Sequence, residues 1–202
     1  MQILELLLDE DQMASGIDAI SIVKSPAIES NFVALNNHKV KFATVDAEKR
    51  ILLGPALIPN KPIYRNQDGM EFYCYFSRAT VKKASELYLQ RGNQGQATLE
   101  HAVKIQGLCL VESWVKEDME KDKSALYGMT DPIGTWMVAM KVENDEVWND
   151  YVKTGLVQGF SIEGYFVDKG QKLSKELTDE EAKLQEVISI LTEWQNCNNK
   201  KK

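Results

Sequence analysis

Ser161 lies in GFSIEGYF, an apolar run bounded by Gly159 and Gly164, and His101 lies in ATLEHAV, a second apolar run. A serine hydroxyl is a weak nucleophile until a base takes its proton, and an imidazole near neutral pH is the usual base. The chain holds two histidines, His38 and His101, so an imidazole mechanism must use one of them. A serine and a histidine on adjacent strands would supply a nucleophile–base pair. Spacing alone does not demand this chemistry. A lone serine in a strand is more often a small inert residue, and a lone histidine among apolar neighbours is more often a buried, hydrogen-bonded one.

Three further groups stand beside this pair. Glu100 precedes His101 and, by strand alternation, should face away from it; Glu163 follows Ser161 by two and shares its face. For both, a solvated surface carboxylate is the simpler reading. Gly164 offers room for a substrate strand or a backbone oxyanion donor. Cys109, between leucines in LCLVESW, reads as a buried inert thiol.

The elements that must hold these residues are mostly strands. Alternating or β-branched runs predict strands at 17–23, 38–45, 71–76, 97–103, 108–116 and 135–142, with a glycine-interrupted strand at 156–168. Residues 1–14 read as a short strand or arm, and 28–35 as loop or short strand. The stretch 50–64 carries Gly54, Pro55, Pro59 and Pro62 and reads as a broken strand entering a rigid loop. Ser77 caps a helix that places Val81, Ala84, Leu87 and Tyr88 on one face and stops at Gly92. Asn144 opens a short helix that ends at Gly155, and Thr178 with Glu181 forms a capping box for a helix over 178–195. The sum is an α+β domain: a small, mostly antiparallel β-barrel or sheet of about seven strands with about three outer helices. Residues 1–168 form the domain, and 169–202 a linker, amphipathic helix and basic tail.

Composition narrows the function. The 202 residues carry 24 Lys and Arg against 30 Asp and Glu, a net charge of −6, without the basic surplus of a nucleic-acid binder. No apolar run approaches the ~18 residues of a transmembrane helix, and MQILELLLDEDQM lacks the basic start of a secretory signal. Cys74, Cys109 and Cys197 have neither disulfide-framework nor zinc-site spacing and suit a reducing compartment.

The run KTGLVQGFSIEGYF, with TLEH upstream, resembles the XkdF-like prohead proteases of tailed phages. So do GPALIPNKPIYR, ESWVKED, SALYGM, GTWMVAMKV and NDEVWNDYVKTG, which follow in order across residues 15–168. The resemblance implies a fold like that of the herpesvirus assemblins and a serine endopeptidase of capsid maturation. Ser161 then matches the family nucleophile and His101 the family base. The implied partners are the phage scaffold and major capsid protein; separately, the apolar stripe of the 178–195 helix offers a face for the barrel, a scaffold or a second copy of the chain. Nucleic acid, membrane, cofactor and metal have no part in it, and the implied location is the host cytoplasm, inside the prohead. The alternative is a non-catalytic capsid or scaffold component that keeps the fold.

The third catalytic member stays open. In ordinary prohead proteases a strand after the nucleophile carries an acid just before a pattern like S-L-V-x-x-P-A. Here that pattern stands near the front, as Ser21-Ile22-Val23-Lys24-Ser25-Pro26-Ala27, which implies a circular permutation. Asp18 is the nearest acid, one residue away from the aligned position, which Ala19 occupies. A one-residue slip turns a side chain to the other face of a strand, and a bulge would turn it back. Glu112, Asp168 or a dyad without an acid are the other options.

Overall fold

A computed structural model describes residues 2–9, 12, 14–28, 33–34, 49–67 and 69–170. The chain runs β1 (Gln2–Leu7), β2 (Gly16–Val23), β3 (Val33–Ala34), β4 (Ile51–Leu57), β5 (Ile63–Gln67), β6 (Met70–Phe76), α1 (Arg78–Gln90), β7 (Ala97–Leu99), β8 (Val103–Ile105), β9 (Leu108–Val115), β10 (Trp136–Val142), β11 (Gly159–Tyr165) and β12 (Val167–Asp168). Short 3-10 turns at Asn93–Gly95 and Lys123–Tyr127 and a π-helical turn at Val147–Val152 interrupt the loops.

Among the described residues the strands form three four-stranded sheets, in the orders β12-β1-β6-β5, β3-β4-β10-β9 and β11-β2-β7-β8. The pairs β1–β6 and β2–β7 are parallel and the rest antiparallel. The α+β class and the antiparallel majority therefore hold, while the single barrel or sheet of seven strands does not. The apolar runs pack as separate sheets around one main core, with a small second cluster at Leu53 and Met137, and no closed barrel forms among the described residues.

The central strands explain that core. In β4, Leu52 through Leu57 are buried, and β10 is buried along almost all its length, as runs apolar on both faces require. Ser77 accepts the Thr80 amide at the start of α1, whose buried face carries Val81, Ala84 and Tyr88. The Tyr88 ring meets Trp136 edge-on at 5.5 Å between centroids, joining the helix to β10. Asn144 Oδ1 accepts the Val147 amide where the π-helical segment starts.

Two sequence expectations change here. ATLEHAV is a hairpin, with β7 and β8 joined by a turn at residues 100–102, because the chain reverses at Glu100 and His101. The stretch 156–168 splits into β11 and β12, which join different sheets. The expected strand over 38–45 and the expected helix over 178–195 lie outside the described residues.

Candidate active site

Strands β11, β2 and β7 build a polar row. Ser161 on β11 lies opposite Ser21 on β2, and Ser21 lies opposite Thr98 on β7. Opposed cross-strand residues share a face with Cβ atoms about 4.5–5.5 Å apart, so the row spans three strands in roughly 10 Å. The other face of β2 carries Ile20 and Ile22 into the core. Ser21 is fully buried and Ser161 nearly so, at 0% and 8% exposure.

What covers this row is the β7–β8 turn. Ala102 N–H donates to the Leu99 carbonyl at 3.0 Å, and the two central residues, Glu100 and His101, have φ of 52° and 58°. Two successive positive φ values mark a type I′ turn, whose preferred residues are Asn-Gly. Glu and His are held in it by bonds to β2. Glu100 N–H donates to the Ile22 carbonyl at 3.1 Å. Glu100 Oε1 accepts the Lys24 amide at 2.6 Å. His101 N–H donates to Ser21 Oγ at 3.0 Å, and Ser21 Oγ–H donates to the Thr98 carbonyl at 3.3 Å.

The turn thus folds back over β2 and carries the imidazole toward β11. There His101 Nδ1 lies 3.1 Å from Glu163 Oε1. The same carboxylate oxygen accepts the Thr98 hydroxyl. Glu163 follows Ser161 by two on the same strand, so the nucleophile candidate, the imidazole and the carboxylate belong to one face. The side chains of His101 and Glu163 are 43% and 30% exposed, leaving a surface-accessible cluster. No hydrogen bond joins Ser161 to the imidazole among the described residues; such bonds often close only when substrate arrives.

His101 therefore lies in a turn, not in a strand, and β2 separates its hairpin from the serine strand. The apolar alternation in ATLEHAV hid the turn because Glu-His lacks the usual glycine signal. Asp18 sits at a bulge, since Glu163 pairs with Ala19 but the next residue, Gly164, pairs with Ile17. The bulge leaves Asp18 exposed, and no hydrogen bond links it to His101 among the described residues. Glu112 on β9 pairs with Lys123 in another sheet. Asp168 on β12 lies opposite Leu6 on β1, in the sheet β12-β1-β6-β5 and not in that of the serine strand. The carboxylate at the imidazole is Glu163, and its signal in the sequence was the Ser-x-Glu spacing on one strand face.

Gly164 has a structural duty. A Cβ there would collide with the Gly16 carbonyl oxygen, so the bulged crossing of β2 and β11 leaves no space for a side chain. Cys109 is exposed, on the outward-facing alternation between buried Leu108 and Leu110. A groove of about 600 Å³ between α1 and the segment after β9 is lined by Lys82, Trp114, Glu117, Asp118, Lys121 and Asp122, apart from the Ser161 cluster. Among the described residues no group of three or more His, Cys, Asp or Glu side chains converges on a metal position, and no helix is long and apolar enough to cross a membrane.

A β-rich domain that presents serine, histidine and carboxylate on one sheet face has the side-chain set that acyl-transfer chemistry uses. A family model described as "Putative phage serine protease XkdF" matches residues 39–168, more than half of the chain, and the chain belongs to that family. Ser161, His101 and Glu163 fall inside the matched span, and Asp18 and Ser21 before it. Among curated proteins and among solved structures, none matches the chain.

Proposed function

We propose that this protein is the serine endopeptidase of phage capsid maturation, with Ser161 as nucleophile and His101 as general base. The observation that supports the reading is that the His101 imidazole reaches Glu163, two residues from Ser161 on the same strand, within the span matched by a phage serine protease family. Ser161 Oγ attacks the scissile carbonyl carbon while His101 Nε2 takes the hydroxyl proton. That proton passes to the leaving amine, and the acyl-enzyme forms as the peptide C–N bond breaks. Water, deprotonated by the same nitrogen, then releases the acid and restores the serine.

The substrate is an extended segment of scaffold or of the capsid protein's scaffolding region, and the enzyme's own chain is a further one. Among the described residues β11 stands at the edge of its sheet, which supports strand addition beside Ser161. The setting is the prohead interior in the host cytoplasm, where assembly brings enzyme and substrate together. The permuted, assemblin-like reading draws support from β2, which carries the start of the front-shifted Ser21–Ala27 pattern and pairs directly with the serine strand.

The test is co-expression with the neighbouring capsid and scaffold proteins, read by intact mass. The unsubstituted chain is expected to cleave at defined positions. Ser161→Ala and His101→Ala are each expected to lower the rate by about 10³-fold or more with the fold retained. Cleavage that persists in Ser161→Ala would sink the nucleophile assignment. No cleavage by any form, with the chain still bound to capsid or scaffold, would establish the non-catalytic alternative.

A further inference from the structure

We infer that Glu163 is the positioning residue of the pair, holding the His101 imidazole in the tautomer that can accept the Ser161 proton. This rests on the proteolytic reading above and names a group that the sequence pattern did not select. A neutral imidazole can serve as base at Nε2 only if its proton sits on Nδ1. Glu163 Oε1 is the acceptor found at Nδ1, 3.1 Å away. An ionised carboxylate has no proton to give, so the bond asks for Nδ1–H.

Three features make this carboxylate fit the role. It is anchored, because the Thr98 hydroxyl donates to the same oxygen. It is part-buried, at 30% side-chain exposure, which strengthens the interaction over that of a fully solvated pair. It also lies directly opposite Ala19, the position where the aligned pattern would place an acid. The other carboxylates near the site are otherwise engaged or displaced. Glu100 accepts the Lys24 amide, and Asp18 projects from the bulge.

The chain's histidine count makes the tautomer readable. In a His38→Gln background His101 is the sole imidazole. Its ¹⁵N shifts and two-bond couplings, recorded on the full chain at about pH 8.5, well above the ordinary imidazole range, report where the proton sits. The Nδ1–H form is expected to dominate. Glu163→Gln, which can donate to Nδ1, is expected to shift the population to Nε2–H. In the co-expression assay it is expected to lower the cleavage rate by about 10³–10⁴-fold, with substrate binding nearly unchanged. Glu163→Asp should recover part of both the tautomer and the rate, which a packing role would not predict, and it serves as the second probe if the Gln variant folds poorly. An unchanged tautomer in Glu163→Gln overturns the assignment, as does a tautomer that responds to Asp18→Asn instead. A tautomer that shifts in a chain whose unsubstituted form cleaves nothing would instead overturn the proteolytic reading, so the two failures are told apart by the spectrum.

Discussion

At the scale of single residues, the site depends on a hydroxyl that performs no chemistry. Ser21 Oγ accepts the His101 amide and donates to the Thr98 carbonyl, wholly out of contact with water. Its loss would leave a part-buried N–H without its protein acceptor, a cost of about 1 kcal/mol. Ser21→Ala is therefore expected to lower the urea midpoint by a corresponding amount and to speed hydrogen exchange at the His101 amide. Exchange unchanged at that amide would show that the turn is held by its Glu100 bonds alone.

At the scale of elements, the β7–β8 hairpin stores strain where the imidazole is needed. Left-handed backbone at non-glycine residues costs on the order of 1–3 kcal/mol each, and Glu100 and His101 both adopt it. The bonds from the turn to Ile22, Lys24 and Ser21 of the β2 segment offset that cost, so the turn keeps its shape only while β2 lies beneath it. The β2–β11 crossing is equally exacting. A methyl at Gly164 would collide with the Gly16 carbonyl oxygen, a backbone atom, so no side-chain rotation relieves the contact. Gly164→Ala is expected to destabilise the protein by about 3 kcal/mol or more, read by chemical unfolding. A loss below ~1 kcal/mol would mean that β11 can shift its register past the bulge.

At the scale of the whole molecule, the segment before the family match is built into the fold. The matched span begins at residue 39, yet β2 lies between β11 and β7, and β1 lies between β12 and β6. Removing residues 1–38 would leave both pairs of strands without the neighbour that accepts their hydrogen bonds. A fragment of residues 39–202 is therefore expected to lack a cooperative unfolding transition, as followed by circular dichroism. A peptide spanning residues 1–28, added in trans, is expected to restore it. A fragment that unfolds cooperatively alone would show the two front strands to be accessory.

Much of this was legible in the residues themselves. The Ser77 cap and the spacing of Val81, Ala84 and Tyr88 determine α1, because local capping and a 3.6-residue period need no distant partner. The alternation in β2 and the unbroken apolar run of β10 determine strands for the same reason. Ser161 and His101 stood out by type and by motif. Other matters were decided only in three dimensions. The His101 turn lacks a glycine and is held by bonds to a strand some eighty residues earlier, which no local window contains. The choice among Asp18, Glu112, Asp168 and Glu163 as the carboxylate at the imidazole turned on strand pairing and on one bulge, since a shift of one residue changes which face a side chain occupies. Chain propensity specifies which segments are strands; which strands become neighbours, and so which carboxylate meets the imidazole, follows from how the sheets pack.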